Sequence, residues 1–180
     1  MKIIVIGAGA MGCLYGAYLS KHNDVTMLDV YEPQVENINK NGITVLEEDG
    51  TEQHFSGIRA MKSGACKEVA DLVIVFVKST HTESSLEENK DLFGENTLVM
   101  TLQNGAGNDR KIAKYVRTEN IIIGTSKHNS VNLGGGKIRH SGNGVTTIGS
   151  NLEENTHLQT VANLLTEAGF QSAVSDDIQR

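Results

Sequence analysis

Near its start the chain runs Ile3-Ile4-Val5-Ile6 straight into Gly7-Ala8-Gly9-Ala10-Met11-Gly12, and a helical pattern opens at Ala10. A G-x-G-x-x-G hexapeptide alone is a weak signal. Set between a strand and a helix, however, each glycine has a mechanical duty. Gly7 permits the tight turn, Gly9 lets the backbone approach a pyrophosphate, and Gly12 lets the helix pack closely on the strand. The first N–H groups of that helix, with the positive end of its dipole, then face an anion. The bland reading is a glycine-rich turn that holds nothing.

Apolar runs bounded by turn residues predict strands over residues 2–6, 25–28, 72–77, 97–101 and 121–123. Four of these five are nearly pure Val, Ile, Leu, Met or Phe, the composition of strands covered on both faces. Helical patterns between them cover residues 10–22, 32–40 and 79–92. Pro33 stands in the first turn of the second, and Gly42 just past its end. A further helix is predicted over 155–168, ended by Gly169, with a short last strand over 171–174. The alternation predicts an α/β class, a doubly wound and mainly parallel sheet with helices on both faces. Two hairpins are inserted into that order. One joins 43–46 to 53–55 through Asp49-Gly50, the other joins 131–133 to 137–140 through Gly134-Gly135-Gly136.

With 180 residues the chain has room for one domain and a sizeable core, and none for a second of full size. The dinucleotide-binding domain is expected over residues 1–175. The 22 acidic and 16 basic residues leave a net charge of -6, and the basic ones are scattered. That balance argues against nucleic acid or an anionic membrane as partner. No run approaches the 18 or so apolar residues of a membrane span, and Ile3 to Ile6 is too short for a secretory signal, so a cytoplasmic protein is expected. Cys13 and Cys66 are isolated in the sequence, so neither a disulfide framework nor a metal site is expected.

Three polar residues stand where strands end. Asp29 closes the run Val25-Thr26-Met27-Leu28, where a carboxylate accepts hydrogen bonds from ribose hydroxyls and repels a 2′-phosphate. No lysine or arginine lies between Val30 and Asn39, and NAD(H) is the local expectation. The alternative is an Asp29 that caps the following turn. Lys78 follows the run ending at Val77, and Asn104 sits in Leu102-Gln103-Asn104-Gly105 after Thr101. Each could contact a cofactor lying across the strand ends. On spacing alone, each could equally be a solvated lysine or a turn-forming asparagine.

Taken together, Gly7 to Gly12, Phe76-Val77-Lys78, Leu102-Gln103-Asn104-Gly105 and the stretch from Arg139 to Gly149 resemble the ketopantoate reductases (2-dehydropantoate 2-reductases) in order and spacing, over the whole chain. The resemblance implies a Rossmann-like fold and reduction of 2-dehydropantoate to (R)-pantoate, usually with NADPH, in pantothenate biosynthesis. It implies that Gly7, Ala8, Gly9, Ala10, Met11 and Gly12 hold the pyrophosphate, and that Lys78 and Asn104 act near the reacting centre. Ser130 falls at a further cofactor-binding position. The family's general-acid lysine belongs to a C-terminal helical domain, whose connection would begin at residues 176–180. The 180 residues are therefore expected to bind a dinucleotide weakly and to turn over little ketopantoate alone, with exposed apolar surface that could drive a homodimer.

Asp29 departs from the resemblance, because NADPH-using members tend to carry an arginine there. NAD(H) and NADP(H) both stay open, and so do two rival readings. One is an NAD-dependent dehydrogenase of another 2-hydroxy acid; the other is a non-catalytic nucleotide-binding module. S-adenosylmethionine in the glycine loop would leave Lys78 and Asn104 without a part.

Overall fold

The computed structural model describes residues 1–103, 107–142 and 144–175. Its main sheet holds β1 (Lys2–Ile6), β2 (Asp24–Asp29), β5 (Arg59–Lys62), β6 (Leu72–Val75), β7 (Leu98–Thr101), β8 (Ile121–Ser126), β11 (Val145–Gly149) and β12 (Gln171–Val174). Their spatial order is β12-β11-β8-β7-β6-β1-β2-β5. From β5 to β8 every neighbouring pair is parallel. β11 then pairs antiparallel with β8 and parallel with β12. Counted outward from β1, the chain winds first through β2 and β5, then through β6, β7 and β8. The order reverses between β1 and β6, where open α/β sheets leave a crevice at the carboxyl ends of their strands.

Side-chain parity explains why the strands read as continuous apolar runs. Ile3 and Val5 of β1 enter one buried cluster, Ile4 and Ile6 the other. The first cluster gathers α1 (Ala10–Leu19), Ile38 of α2 (Glu32–Asn41) and α5 (His157–Ala168). The second gathers Leu86 of α3 (Thr82–Glu88) and Ile112 of α4 (Asn108–Ile112). Each Ile or Leu withdrawn from water contributes roughly 1.5–3 kcal/mol, which makes both faces of the sheet part of the core.

The two predicted hairpins form, but they pair with each other rather than with the main sheet. β3 (Ile43–Leu46) and β4 (Glu52–Phe55) are antiparallel, as are β9 (Asn129–Gly134) and β10 (Lys137–Gly142). β10 joins β3 in parallel, with Ile138 opposite Val45, giving a small sheet of order β4-β3-β10-β9. α1 lies between the two sheets, and every residue from Gly12 to Leu19 is buried. A helix apolar all round is the expected outcome of that position.

A polar seam crosses this packing. The Tyr15 hydroxyl bonds to Ser126 Oγ at 2.8 Å and Thr146 Oγ1 at 2.6 Å, while its ring stacks on Phe170. The Tyr18 hydroxyl donates to the Glu47 carboxylate, whose other oxygen meets His140 Nδ1 at 2.9 Å. His140 Nε2 in turn meets His128 Nδ1 at 2.9 Å. With Glu47 ionised and both rings neutral, one arrangement satisfies the chain: His140 Nδ1–H donates to Glu47, and His128 Nδ1–H donates to His140. His128 Nε2 is left as a buried acceptor with no partner among the described residues.

Three expectations need correction. The helix predicted over 79–92 is broken into a 3-10 turn, α3 and a second 3-10 turn. Asn89 ends α3 because its amide donates to Ser85 O and accepts Gly64 N–H, a local competition with the helical ladder. The helix opening at Ala10 stops at Leu19 rather than 22, where Asn23 Nδ2 takes the Leu19 carbonyl. The strand predicted over 72–77 ends at Val75, before the backbone turns toward Lys78. The strands β5 and β11 and the short helix α4 were not predicted. In β5 only Ala60 is buried, and β11 sets Thr146 and Thr147 side by side between Val145 and Ile148, so neither shows an apolar run.

Candidate functional site

The glycine loop joins β1 to α1 at the reversal point. Gly7 takes φ 106°, and a Cβ there would press on the Phe76–Val77 backbone. At Gly12 a Cβ would stand 1.9 Å from the Gly7 carbonyl oxygen, so helix and loop can meet this closely only without one. Gly9 differs, since a Cβ there would meet no protein atom within 4 Å. The loop is therefore closed underneath at Gly7 and Gly12, and open above at Gly9. Gly9 is also the N-cap of α1, and no side chain caps the helix. Its first N–H groups and dipole are free to meet an anion.

On one side of the loop lies a cavity of about 470 Å³. Ala8, Gly9, Asp29 and Gln34 form its inner side, and Asn132, Gly134 and Gly135 its outer side. Both Asp29 oxygens accept backbone N–H groups, Oδ2 from Ala8 at 2.7 Å and Oδ1 from Tyr31 at 2.8 Å. Gln34 Nε2 donates to the Ala8 carbonyl at 2.9 Å. Asp29 and Gln34 thus hold Ala8 of the loop by its N–H and by its carbonyl. Each Asp29 oxygen keeps a lone pair for a further donor. Among the described residues no lysine or arginine lines this cavity. The register does bring Lys62 of β5 opposite Asp29, but its ammonium pairs with Glu32 at 3.2 Å on the surface.

Beneath the loop, Cys13 donates its thiol to the Ala8 carbonyl at 3.4 Å. Burial pushes its pKa up to about 12, with the nearby Asp29 charge adding to the rise against the Gln34 hydrogen bond.

On the other side of the loop, a second cavity of about 340 Å³ lies over the ends of β6 and β7. Met11, Phe76, Lys78 and Gln103 are among its lining residues. Lys78 is exposed at the mouth, its backbone extended before the 3-10 turn Ser79–His81. Gln103 ties this side together: its amide donates to the Val77 carbonyl and to Thr82 Oγ1 at 2.8 Å, and its oxygen accepts the Thr101 hydroxyl at 2.9 Å.

The structure thus gathers the residues from Gly7 to Gly12 with Asp29 and Lys78 along one crevice. Asn104 lies outside the described residues. Ser130 lies on β9 opposite His140 and lines neither cavity; its hydroxyl is buried without a partner among the described residues. Sequence reasoning missed Gln34, Gln103 and the hairpin tip from Asn132 to Gly135. Gln103 lies inside the Leu102-Gln103-Asn104-Gly105 segment, and the three glycines by themselves predict only a turn. Among the described residues no three His, Cys, Asp or Glu side chains come together to hold a metal ion, and no helix is long and apolar enough to cross a membrane.

Residues 3–153 match the family model described as ketopantoate reductase PanE/ApbA. The chain belongs to the ketopantoate reductase family. Among curated relatives, the 2-dehydropantoate 2-reductase of Lactococcus lactis subsp. lactis is 33% identical over 183 residues, and that of Streptococcus pyogenes serotype M1 31% over 180. In both cases the match covers 99% of this chain and 58% of the relative. This ketopantoate reductase family chain therefore spans less than two thirds of the length of those relatives. Among solved structures, the 2-dehydropantoate 2-reductase of Geobacter metallireducens matches with a TM-score of 0.88 at 30% identity, covering 98% of this chain and 58% of that one. D-mandelate dehydrogenase in a ternary structure with NADH and anilino(oxo)acetate matches with a TM-score of 0.91 at 28% identity, covering 99% and 58%.

Proposed function

We propose that this chain supplies the cofactor-binding part of an NAD(P)H-dependent reduction of 2-dehydropantoate to (R)-pantoate. The carrying observation is the pair of cavities on either side of the glycine loop, at the reversal of strand order in a sheet of this family. An extended dinucleotide would lay its adenosine ribose by Asp29, its pyrophosphate over Gly9 and the α1 N-terminus, and its nicotinamide toward Lys78. Bound there, it supplies the hydride for the keto carbon. Lys78 carries a positive charge to the end where negative charge develops on the carbonyl oxygen. Gln103 fixes the floor beneath it, and Asn104 and Ser130 remain contacts by family resemblance. The alkoxide's proton would come from the lysine of a C-terminal helical domain, residues 1–175 being the cofactor-binding domain and 176–180 the start of the connection.

NAD(H) is the cofactor favoured by the geometry. A 2′-phosphate would meet the Asp29 carboxylate in a cavity that no cation among the described residues lines, and desolvating two like charges together is costly. Fluorescence titration of the chain with NADH and NADPH tests this, with tighter NADH binding expected. Tighter NADPH binding would overturn the preference, and binding of neither would overturn the reading.

A second reading keeps the fold and changes the substrate to another 2-oxo acid. The likeness to D-mandelate dehydrogenase with NADH favours it, together with Asp29. Rates of a form carrying the helical domain with 2-dehydropantoate and with aryl and branched 2-oxo acids separate the two. No turnover of 2-dehydropantoate would sink the first.

A further inference from the structure

The small sheet contributes to the crevice as well as covering α1. Its β9–β10 tip places Asn132, Gly134 and Gly135 on the outer side of the cavity whose inner side is Ala8, Gly9 and Asp29. Three consecutive glycines turn there with φ of 86°, 61° and 80°, a run of left-handed conformations that side chains resist. The base of the tip is fixed. Gly136 O accepts Thr44 N–H at 2.9 Å, and a Cβ on Gly136 would stand 2.7 Å from Gly42 O. A Cβ on Gly134 or Gly135 would meet no protein atom within 4 Å, so bare backbone there faces open space.

Asn132 is oriented by this turn. Its Oδ1 accepts Gly134 N–H at 2.9 Å, which assigns the amide and leaves Nδ2 as the open donor. The two sides of the cavity are chemically complementary to one group. Asp29 offers carboxylate lone pairs to hydroxyls, the α1 N-terminus offers N–H groups to phosphate, and Asn132, lining the same cavity, offers a neutral donor. An adenosine ribose phosphate presents hydroxyls and phosphate oxygens in that order.

We propose that the Asn132–Gly135 tip is the outer wall of the adenosine-ribose end of the site, with Asn132 a positioning residue that donates to the ribose-phosphate edge. Gly135 keeps the wall bare so that the sugar can enter between the two sheets. This rests on the dinucleotide reading and deepens it, because cofactor affinity then depends on a sheet outside the doubly wound core.

The test is calorimetric titration of the unmodified chain, Asn132→Ala and Gly135→Asn with ADP-ribose and with NADH, with circular dichroism melting of all three. Asparagine tolerates the Gly135 conformation and would put a side chain into the open space. ADP-ribose and NADH should weaken by the same factor in each variant, about fivefold to tenfold for Asn132→Ala and more for Gly135→Asn, as loss of one hydrogen bond or blocked entry predicts. ADP-ribose should also slow amide exchange over residues 132–136 of the unmodified chain. Affinities within about twofold of the unmodified chain in both variants, or exchange unchanged by ADP-ribose, would overturn the proposal. An unmodified chain that binds neither nucleotide would remove the dinucleotide reading, and this proposal with it.

Discussion

The Asp29 carboxylate at the end of β2 accepts the backbone N–H of Ala8 inside the glycine loop, at 2.7 Å across 21 residues of sequence. The residue proposed to face the ribose is thereby also a strut of the glycine loop. Replacing it should disturb two functions together. Asp29→Asn leaves one of the two backbone donors facing an amide N–H, so NADH affinity should fall about tenfold and stability by about 1 kcal/mol. NADPH affinity should fall less, since the variant also removes the charge that opposes a 2′-phosphate. Titration with both nucleotides, beside urea unfolding, checks the two effects separately.

The glycines of the loop should part company under substitution. Gly12→Ala drives a methyl into the Gly7 carbonyl and should destabilise the fold by about 1–3 kcal/mol or more. Gly9→Ala meets no protein atom, so the midpoint of unfolding should hardly move while dinucleotide affinity falls about tenfold or more. Urea denaturation and nucleotide titration on the two variants decide it. Equal losses of affinity and stability in both would contradict a loop closed at one glycine and open at the other.

Burial lowers the His128 pKa from its ordinary value, and the neighbouring His140 lowers it further, against the attraction of Glu47. The folded protein then holds His128 neutral at pH values where the unfolded chain would take up a proton. Stability from this group is full above the unfolded value of about 6.5 and is lost as pH falls below it, toward the depressed folded value. Melting temperature should fall as the pH drops below about 6.5. His128→Gln should flatten that fall, and an unchanged slope in the variant would show that other groups carry it.

The register brings Lys62 opposite Asp29, and Glu32 holds its ammonium. Glu32→Gln removes a negative charge and frees the ammonium. NADPH binding should tighten by a few-fold at most, in keeping with the small worth of exposed ion pairs. A NADPH dissociation constant that does not move would show that Lys62 stands too far from the ribose to matter.

Both cysteines are buried, and burial holds the Cys13 thiol up near 12. In native buffer a colourimetric thiol reagent should find neither of them, and both should react once the chain is unfolded in guanidinium. Fast labelling of the folded chain would mean that the loop above Cys13 opens readily.

The doubly wound core was legible because its strands are buried on both faces and its loop carries glycines with separate duties. Ile3 to Ile6 announce β1, and Asp29 marks the end of β2, through composition alone. β5 was illegible because it is an edge strand with Arg59 and Lys62 at its ends, carried by pairing with β2 rather than by its own apolar content. The meeting of the two hairpins was hidden for a different reason. Val45 and Ile138 look alike as strand residues, and nothing local states that they are partners. The same non-local pairing concealed the outer side of the candidate site, since the small sheet is what brings Asn132 to the cavity that Asp29 also lines.

That pairing also bears on synthesis. While β3 emerges from the ribosome, its parallel partner β10 has not been made, and the side of α1 that the small sheet will cover stays uncovered. Loop closure between such distant segments is slow, and uncovered apolar helices invite misassociation in the interval. Nascent chains halted before the Gly134–Gly136 turn should therefore be clients for chaperones, whereas chains halted after β10 should already resist a protease.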